Sequence, residues 1–242
     1  VHSLKFYVTT PHHCPYLPER QAVDVVADPN ASVDRGRLTE LFELGFRRSG
    51  IFVYRPECPG CRACVAARVP VATFVPDRSQ RRCAARNADL VVTREAPECS
   101  EEVFELYSRY LRHRHAGGGM DDATPESFDE FLCTSAIEAE FLSFRLGGRL
   151  VAVAVTDVLD TGLSANYTFF DPAEAKRSLG TFAVLTQIEE ARRRCLEHLY
   201  LGYWIERSDK MRYKSRFRPL ELYRDGRWWF WPAGVDESPV AG

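Results

Sequence analysis

The chain has 242 residues, of which 45% are hydrophobic and 27% charged, and its formal net charge is −2. That balance is typical of a globular protein with a buried core and excludes a disordered or fibrous polymer. No apolar run approaches the roughly 20 residues needed to cross a bilayer, and the N-terminus VHSLKFYVTT lacks the basic-then-apolar order of a signal peptide. The expectation is a cytoplasmic protein, and Val1 in the first position points to a trimmed or incomplete start.

The near-neutral total hides a strong segregation of charge. Residues 35–94 hold twelve Arg against five acids, residues 95–141 three Arg against twelve acids, and residues 205–231 eight basic against four acidic residues. Two basic segments separated by an acidic one suit a polyanion held against one face.

In chain order, the N-terminal third is turn-rich, with Pro11, Pro15, Pro18, Pro29, Pro56, Pro59, Pro70 and Pro76. Between them the pattern predicts a short helix over 36–44, a hairpin over 45–56 and a strand over 66–71. Cys58, Cys61 and Cys64 fall at CxxCxxC spacing around the turn Pro59-Gly60. This packing presents several sulfurs to one centre, such as zinc or an iron–sulfur cluster. Cys14, in the short cluster His12-His13-Cys14-Pro15, is the best fourth ligand, with Cys83, His12 and His13 as alternatives. Redox-active thiols or buried cysteines fit the same spacing. Asp77–Ala88 should be helical, which sets Arg78, Arg82 and Arg86 four residues apart on one face, beside Arg81. Three like charges there repel one another unless an anion, such as a phosphate backbone, neutralises them.

Ser100 caps a helix that runs to His115, before Gly117-Gly118-Gly119, and Thr124-Pro125-Glu126 starts another. Strands follow at 141–146 and 149–158, joined by Gly147-Gly148, a pair suited to a primed hairpin turn, and a third at 163–170. Ser178-Leu179-Gly180-Thr181 then opens a helix with apolar residues at helical spacing, and 199–205 reads as one more strand. A basic helix over 208–217 and a terminal hairpin close the folded part. The organisation expected is a cysteine-rich, basic N-terminal region (1–96), a second domain (97–232) and a disordered tail (233–242).

A meander, a helix starting on a Ser/Gly turn and one further strand is the order of the GCN5-related N-acyltransferase core. The fold class expected is therefore α+β, with a mixed sheet of that type and flanking helices. That core usually cradles coenzyme A pyrophosphate on an Arg/Gln-x-x-Gly-x-Gly/Ala loop at the helix start. The nearest match here is RSLGTF at 177–182, where Phe182 replaces the final small residue and argues for a different donor. An ordinary helix start capped by Ser178 or Thr181 fits the same string.

Longer strings resemble one family in the same order: CPYLPER at 14–20, GFRRSG at 45–50, YRPECPGCRAC at 54–64, RSQRR at 78–82, YSRYLRHRHAGGGM at 107–120, SLGTFAVLTQIE at 178–189 and MRYKSRFRPLELY at 211–223. Together they resemble the bacterial aspartate/glutamate leucyltransferases, relatives of the eukaryotic arginyl-tRNA–protein transferases. The resemblance implies transfer of leucine from leucyl-tRNA to the α-amine of proteins beginning with Asp or Glu, which marks them for N-degron degradation. Aminoacyl-tRNA is the implied co-substrate, no cofactor is required for the chemistry, and a zinc ion or iron–sulfur cluster at Cys14, Cys58, Cys61 and Cys64 is implied by the eukaryotic relatives. Asp157, Tyr167 and Tyr203 are the candidates for holding the amine or moving its proton. Arg47, Arg48, Lys214 and Arg216 are those for the acceptor carboxylate. Arg78, Arg81, Arg82 and Arg86, with Ser178, Gly180 and Thr181, are the candidates for the donor. A coenzyme A-dependent N-acetyltransferase and a non-enzymatic RNA-binding or adaptor module are the alternatives.

Overall fold

The computed structural model describes residues 4–114, 123–133 and 138–240. The N-terminal part supplies short strands β1 (Phe6–Val8), β2 (His12–His13), β3 (Gln21–Ala22) and β4 (Asp24–Ala27), then helix α1 (Arg35–Glu43) and the hairpin β5 (Arg47–Ser49) and β6 (Phe52–Pro56). Strand β7 (Val65–Pro70), helix α2 (Arg78–Arg86), strand β8 (Val91–Glu95) and helix α3 (Glu101–Arg114) follow. Helix α4 (Pro125–Phe128) runs into a π-helical turn at Asp129–Cys133. The meander is β9 (Ala139–Leu146), β10 (Arg149–Val158) and β11 (Gly162–Phe170), succeeded by a 3-10 turn at Pro172–Arg177, helix α5 (Leu179–Arg193) and β12 (His198–Trp204). A second 3-10 turn, Arg212–Arg216, precedes the hairpin β13 (Leu220–Arg224) and β14 (Arg227–Trp231).

The helix starts follow from local chemistry. Asp34 accepts from the Arg37 N–H at the head of α1, Asp77 and Gln80 cap α2 reciprocally, and Thr124 does the same with Ser127 ahead of Pro125. Gly147 and Gly148 both have positive φ, 56° and 90°, as a primed turn requires. The glycines expected at 117–119, and the helix end at His115, lie outside the described residues.

A four-stranded sheet has the order β1-β4-β6-β5, and an eight-stranded mixed sheet the order β14-β13-β7-β12-β11-β10-β9-β8. Strands β7 and β8, which precede residue 97, pair within the large sheet, β7 between β12 and β13. Its two faces are covered by different helices. Val153 and Val155 of β10 join Leu106, Tyr107 and Leu111 of α3, while Ala152 and Ala154 join Leu179 and Ala183 of α5. The alternation breaks once, where Val151 and Ala152 share a face, because the register of β9 and β10 shifts between Leu150 and Ala152. The result is an α+β fold with a large mixed sheet and flanking helices. Among the described residues no helix is long and apolar enough to cross a membrane.

Two segments differ from expectation. In place of a basic helix over 208–217 there is only the short 3-10 turn, in which Lys214 turns inward and donates to the Tyr203 carbonyl at 2.7 Å, a tertiary contact that outweighs the local helical pattern. Residues 233–240, expected as a disordered tail, lie against the terminal hairpin. Trp231 Nε1 donates to the Val235 carbonyl at 2.9 Å, Arg224 donates to the Val240 carbonyl and Val240 is buried.

The crossover β11–α5–β12 makes the sheet's parallel pair, with register Gly162↔His198, Leu163↔Leu199 and Ser164↔Tyr200. Gly162 permits the close approach, since a Cβ there would stand 2.6 Å from the His198 carbonyl oxygen and 3.0 Å from the Tyr200 ring. Replacing Gly162 with Ala should therefore strain the first parallel pair and destabilise the protein by about 1–3 kcal/mol. A urea midpoint equal to that of the parent would show that the strands separate at no cost.

Candidate active site

Beyond Ser164 and Tyr200 the parallel pair is no longer in register, although β11 continues to Phe170 and β12 to Trp204. The diverging strands form a wedge, and α5 begins beside it. Ser178, at the head of α5, has left-handed backbone angles (φ 57°, ψ 47°) and makes no side-chain cap bond. Its carbonyl accepts from Thr181 and Phe182. The first N–H groups of the helix have no partner within it, a situation suited to an anion or a polarised carbonyl. Gly180 faces Phe170 of β11, 3.6 Å from where its Cβ would be. Phe182 is packed against Phe144, with ring centroids 5.6 Å apart, so its bulk is fixed in the core beside this start.

Helix α2 is fastened to the same point. Cys83 Sγ contacts the carbonyls of Arg177 and Ser178, both at 3.6 Å, Asn87 Nδ2 donates to Arg177 at 2.9 Å, and Arg86 donates to the Lys176 carbonyl. On its other side Gln80 Nε2 donates to the Arg216 carbonyl at 2.9 Å. With α2 anchored through Gln80, Cys83 and Asn87, Arg78, Arg81, Arg82 and Arg86 are all exposed. The fold thus brings together three segments far apart in sequence: the Arg stripe, the start of α5 and the basic turn Arg212–Arg216.

The expected acceptor and catalytic residues divide into buried and exposed groups. Arg48 donates from Nε and Nη2 to Asp157 Oδ1 at 2.9 and 2.6 Å, with both side chains 0% exposed. Asn166 Nδ2 adds bonds to the two Asp157 oxygens at 3.3 and 3.1 Å. These two candidates satisfy each other, which leaves neither the guanidinium open to an acceptor carboxylate nor the carboxylate open to an amine. Arg47 is enclosed as well: its Cζ lies 5.0 Å from the ring centroids of both Phe42 and Tyr200, and it donates to the carbonyls of Phe46 and Ala67. Burial lowers its pKa. The Tyr203 hydroxyl meets the carbonyls of Gly45 and Tyr54 at 3.1 and 3.0 Å, tying β12 to the small sheet. Burial raises its pKa well above the usual phenol value.

Lys214 is buried, with Nζ held by the Tyr203 carbonyl and Met211 Sδ. Burial, and then the nearby Arg47, bring its pKa down to about 7. Tyr167 is half-buried among Tyr107, Tyr110 and Phe131, with centroids 6.2, 6.4 and 5.5 Å away. Burial raises its pKa, so it is a neutral hydrogen-bond donor. Arg216 is exposed. Sequence reasoning did not single out Tyr110, Arg114 and Tyr213, which lie on α3 and the second 3-10 turn near enough for the first two to influence the Tyr213 phenol. The interleaving of aromatic and basic residues in YSRYLRHR and MRYKSRFR was the available signal.

A cavity of about 600 Å³ opens in the N-terminal part, lined by residues including His12, Cys14, Tyr16, Asp24, Tyr54 and Cys64. Its lining carries no Arg or Lys. Burial, together with the thiols of Cys14, Cys58 and Cys61, pushes the Cys64 thiol up to about 12, so these cysteines share a neighbourhood. Cys58 Sγ is also engaged by the Val23 N–H and carbonyl. Among the described residues no three His, Cys, Asp or Glu side chains converge to hold a metal ion. The expected zinc or iron–sulfur ligand set is not assembled among the described residues.

The Lys214 environment has a consequence for stability. Its folded pKa, about 7 against a usual 10.5, means that between these values the unfolded chain binds more protons than the folded one, so this residue's contribution to stability rises with pH across that window and is lowest below it. Lys214→Met should flatten the rise of the urea midpoint from pH 7 to 10 relative to the parent. Parallel curves for the two proteins would mean that Lys214 titrates normally.

The chain matches the family model "Arginine-tRNA-protein transferase, N terminus" over residues 12–82 and "Arginine-tRNA-protein transferase, C terminus" over residues 102–224. It is 53% identical over 225 residues to an aspartate/glutamate leucyltransferase of Pseudomonas fluorescens, covering 93% of this chain and 96% of that one. It is 56% identical over 237 residues to one from Stenotrophomonas maltophilia, covering 94% and 92%. Among solved structures, the C-terminal domain (DUF2156) of a protein described as a lysylphosphatidylglycerol synthetase from Agrobacterium fabrum shares the fold, with a TM-score of 0.51 at 16% identity. The match covers 80% of this chain and 62% of that one. Matched by family models in both halves and more than half identical to these relatives along almost its whole length, the chain belongs to the arginine-tRNA-protein transferase family.

Proposed function

We propose that this protein transfers leucine from leucyl-tRNA to the α-amine of proteins beginning with Asp or Glu, in the cytoplasm, as an N-degron-marking aminoacyltransferase. The observation that carries this reading is the exposed basic surface formed by α2, the start of α5 and the turn Arg212–Arg216 beside the β11/β12 wedge. In a chain whose relatives are named aspartate/glutamate leucyltransferases, that surface suits the phosphates of a tRNA whose acylated end reaches the wedge. The β11–α5–β12 unit is read as a core of the GCN5-related N-acyltransferase type, with the α5 start receiving the leucyl ester. Phe182, fixed in the core beside that start, supports a donor other than coenzyme A.

The neutral α-amine attacks the ester carbonyl, the new C–N bond forms as the C–O bond to the ribose breaks, and the amine proton passes to the departing ribose oxygen. An α-amine has a pKa of about 7.7–8.0, so a useful fraction is neutral near pH 7. The ester is already activated, and alignment at high effective concentration can supply much of the acceleration. Tyr167, neutral and placed on β11, is suited to donate to the carbonyl or leaving oxygen. Asp157 acts at one remove, fixing Asn166 and Arg48. Of the four acceptor-carboxylate candidates, Arg216 is the one exposed beside the surface.

Labelled leucine should pass from leucyl-tRNA to a peptide beginning with Asp or Glu, and not to one beginning with Ala or with a blocked α-amine. Equal labelling of the Ala peptide would sink the acidic-acceptor assignment. Transfer from arginyl-tRNA alone would overturn the donor, and acetylation by acetyl-coenzyme A would favour the acetyltransferase reading.

Neutralising Arg78, Arg82 and Arg86 together to Gln should weaken tRNA binding whatever the sequence. It should flatten the plot of log affinity against log salt by about 0.7–0.9 for each phosphate that is no longer neutralised, with the KM for acceptor peptide unchanged. An unaltered salt slope would make the stripe an ordinary solvated face.

A further inference from the structure

Tyr213 is 40% exposed, whereas the next residue, Lys214, and Phe217 in the same segment are 4% and 2% exposed. Burial, and then the nearby Tyr110, raise the phenol to about 12, so the hydroxyl is neutral. The ring is steadied by two neighbours. Phe217 meets it edge-on at 6.5 Å, and Lys214 Nζ lies 5.3 Å from its centroid while pinned to the Tyr203 carbonyl. The outcome is a partly exposed aromatic ring held beside β12.

The surroundings of this ring are cationic. Lys210, Arg212 and Arg216 are exposed on the same short segment, Arg212 being paired with Asp209 at 3.0 Å. The Arg216 carbonyl is the point at which α2, with its Arg stripe, is attached. A rigid aromatic face among cations is what single-stranded nucleic acid recognition uses: the phosphates follow the charges and a base lies on the ring. A line of ring contacts also leads inward: Tyr110 touches Tyr167 and Phe170, with centroids 6.4 and 5.1 Å away, and Phe170 faces Gly180 at the start of α5.

We propose that the Tyr213 ring is the stacking platform for an unpaired base at the 3′ end of the aminoacyl-tRNA, holding that nucleotide so that its ester reaches the wedge between β11 and β12. Lys214, expected from sequence to bind a carboxylate, then serves to fix the platform. The proposal rests on the reading that the donor is a tRNA, and gives it a specific contact.

The test uses deacylated tRNA whose 3′-terminal adenosine is replaced by 2-aminopurine, a base whose fluorescence is quenched by stacking. Wild-type protein should quench it on binding. Tyr213→Phe and Tyr213→Trp should retain the quenching, whereas Tyr213→Leu should lose it, bind the tRNA about tenfold more weakly and raise the KM for leucyl-tRNA to match, with the KM for an Asp-initiated peptide unchanged. Wild-type protein that binds the tRNA without quenching would overturn the proposal whatever the variants do. So would a Tyr213→Leu protein that quenches fully, or whose KM change falls on the peptide. If wild-type protein transfers leucine while any of these results holds, the platform is wrong and the functional reading stands. Quenching by a protein that transfers no leucine from leucyl-tRNA would overturn the donor amino acid and leave the platform in place.

Discussion

A guanidinium and a carboxylate that never touch solvent hold the two sheets of this protein together. Arg48 comes from the small N-terminal sheet and Asp157 from the middle of the large one. Asn166, on β11, bonds to both oxygens of the same carboxylate. Removing two charges from water costs several kcal/mol per ion, and the pair recovers this only through close, well-directed bonds. Replacing the pair by apolar residues of similar volume could be neutral for stability, but removing one member leaves a buried charge unmatched at a cost of roughly 3–5 kcal/mol. The interaction therefore acts mainly on specificity, fixing which strand of the small sheet faces β10 and β11.

Other polar contacts across this junction work in the same direction. Arg68 of β7 is held by Glu43 of α1 and Glu221 of β13 at 2.7 and 2.6 Å and lies 4.1 Å from the centre of the Trp228 ring. Tyr203 on β12 donates to the backbone of the small sheet. Arg47 is inserted between rings contributed by α1 and β12. The contacts of Arg68 with Glu43, of Tyr203 with Gly45 and Tyr54, and of Arg47 with β12 each join an element from before residue 60 to the large sheet, whereas Arg68–Glu221 lies within that sheet. Because β12 is one wall of the wedge, the N-terminal sheet helps to set the position of that wall. The GFRRSG segment thus contributes scaffold, and the exposed cations lie on other elements.

Charge segregation along the chain becomes a separation between inner and outer arginines. Arg47, Arg48 and Arg68 are buried and engaged by carbonyls, carboxylates or rings. Arg78, Arg81, Arg82, Arg86 and Arg216 are exposed near the start of α5. An Arg at a protein surface meets high dielectric and mobile salt, so its value for a polyanion lies in counterion release and long-range attraction. A buried Arg is worth most where its planar donor set is matched in full.

The sequence by itself determined what depends on neighbours along the chain. The Asp77–Gln80 cap, the Gly147-Gly148 turn and the apolar spacing of α5 are short-range matters, and the elements appear where those signals lie. The many separate motifs likewise carried the family. The tertiary structure alone decided three things. It inserted β7 between β12 and β13, a pairing set by long-range hydrogen bonds and packing for which local periodicity carries no information. It sorted the arginines, since buried and exposed guanidiniums look identical until their partners are known. And it converted the predicted basic helix at 208–217 into a tight turn that buries Lys214 and leaves Tyr213 facing outward, because the Tyr203 carbonyl and the enclosed space beside β12 offered the ammonium a partner that no pattern in MRYKSRFRP could reveal.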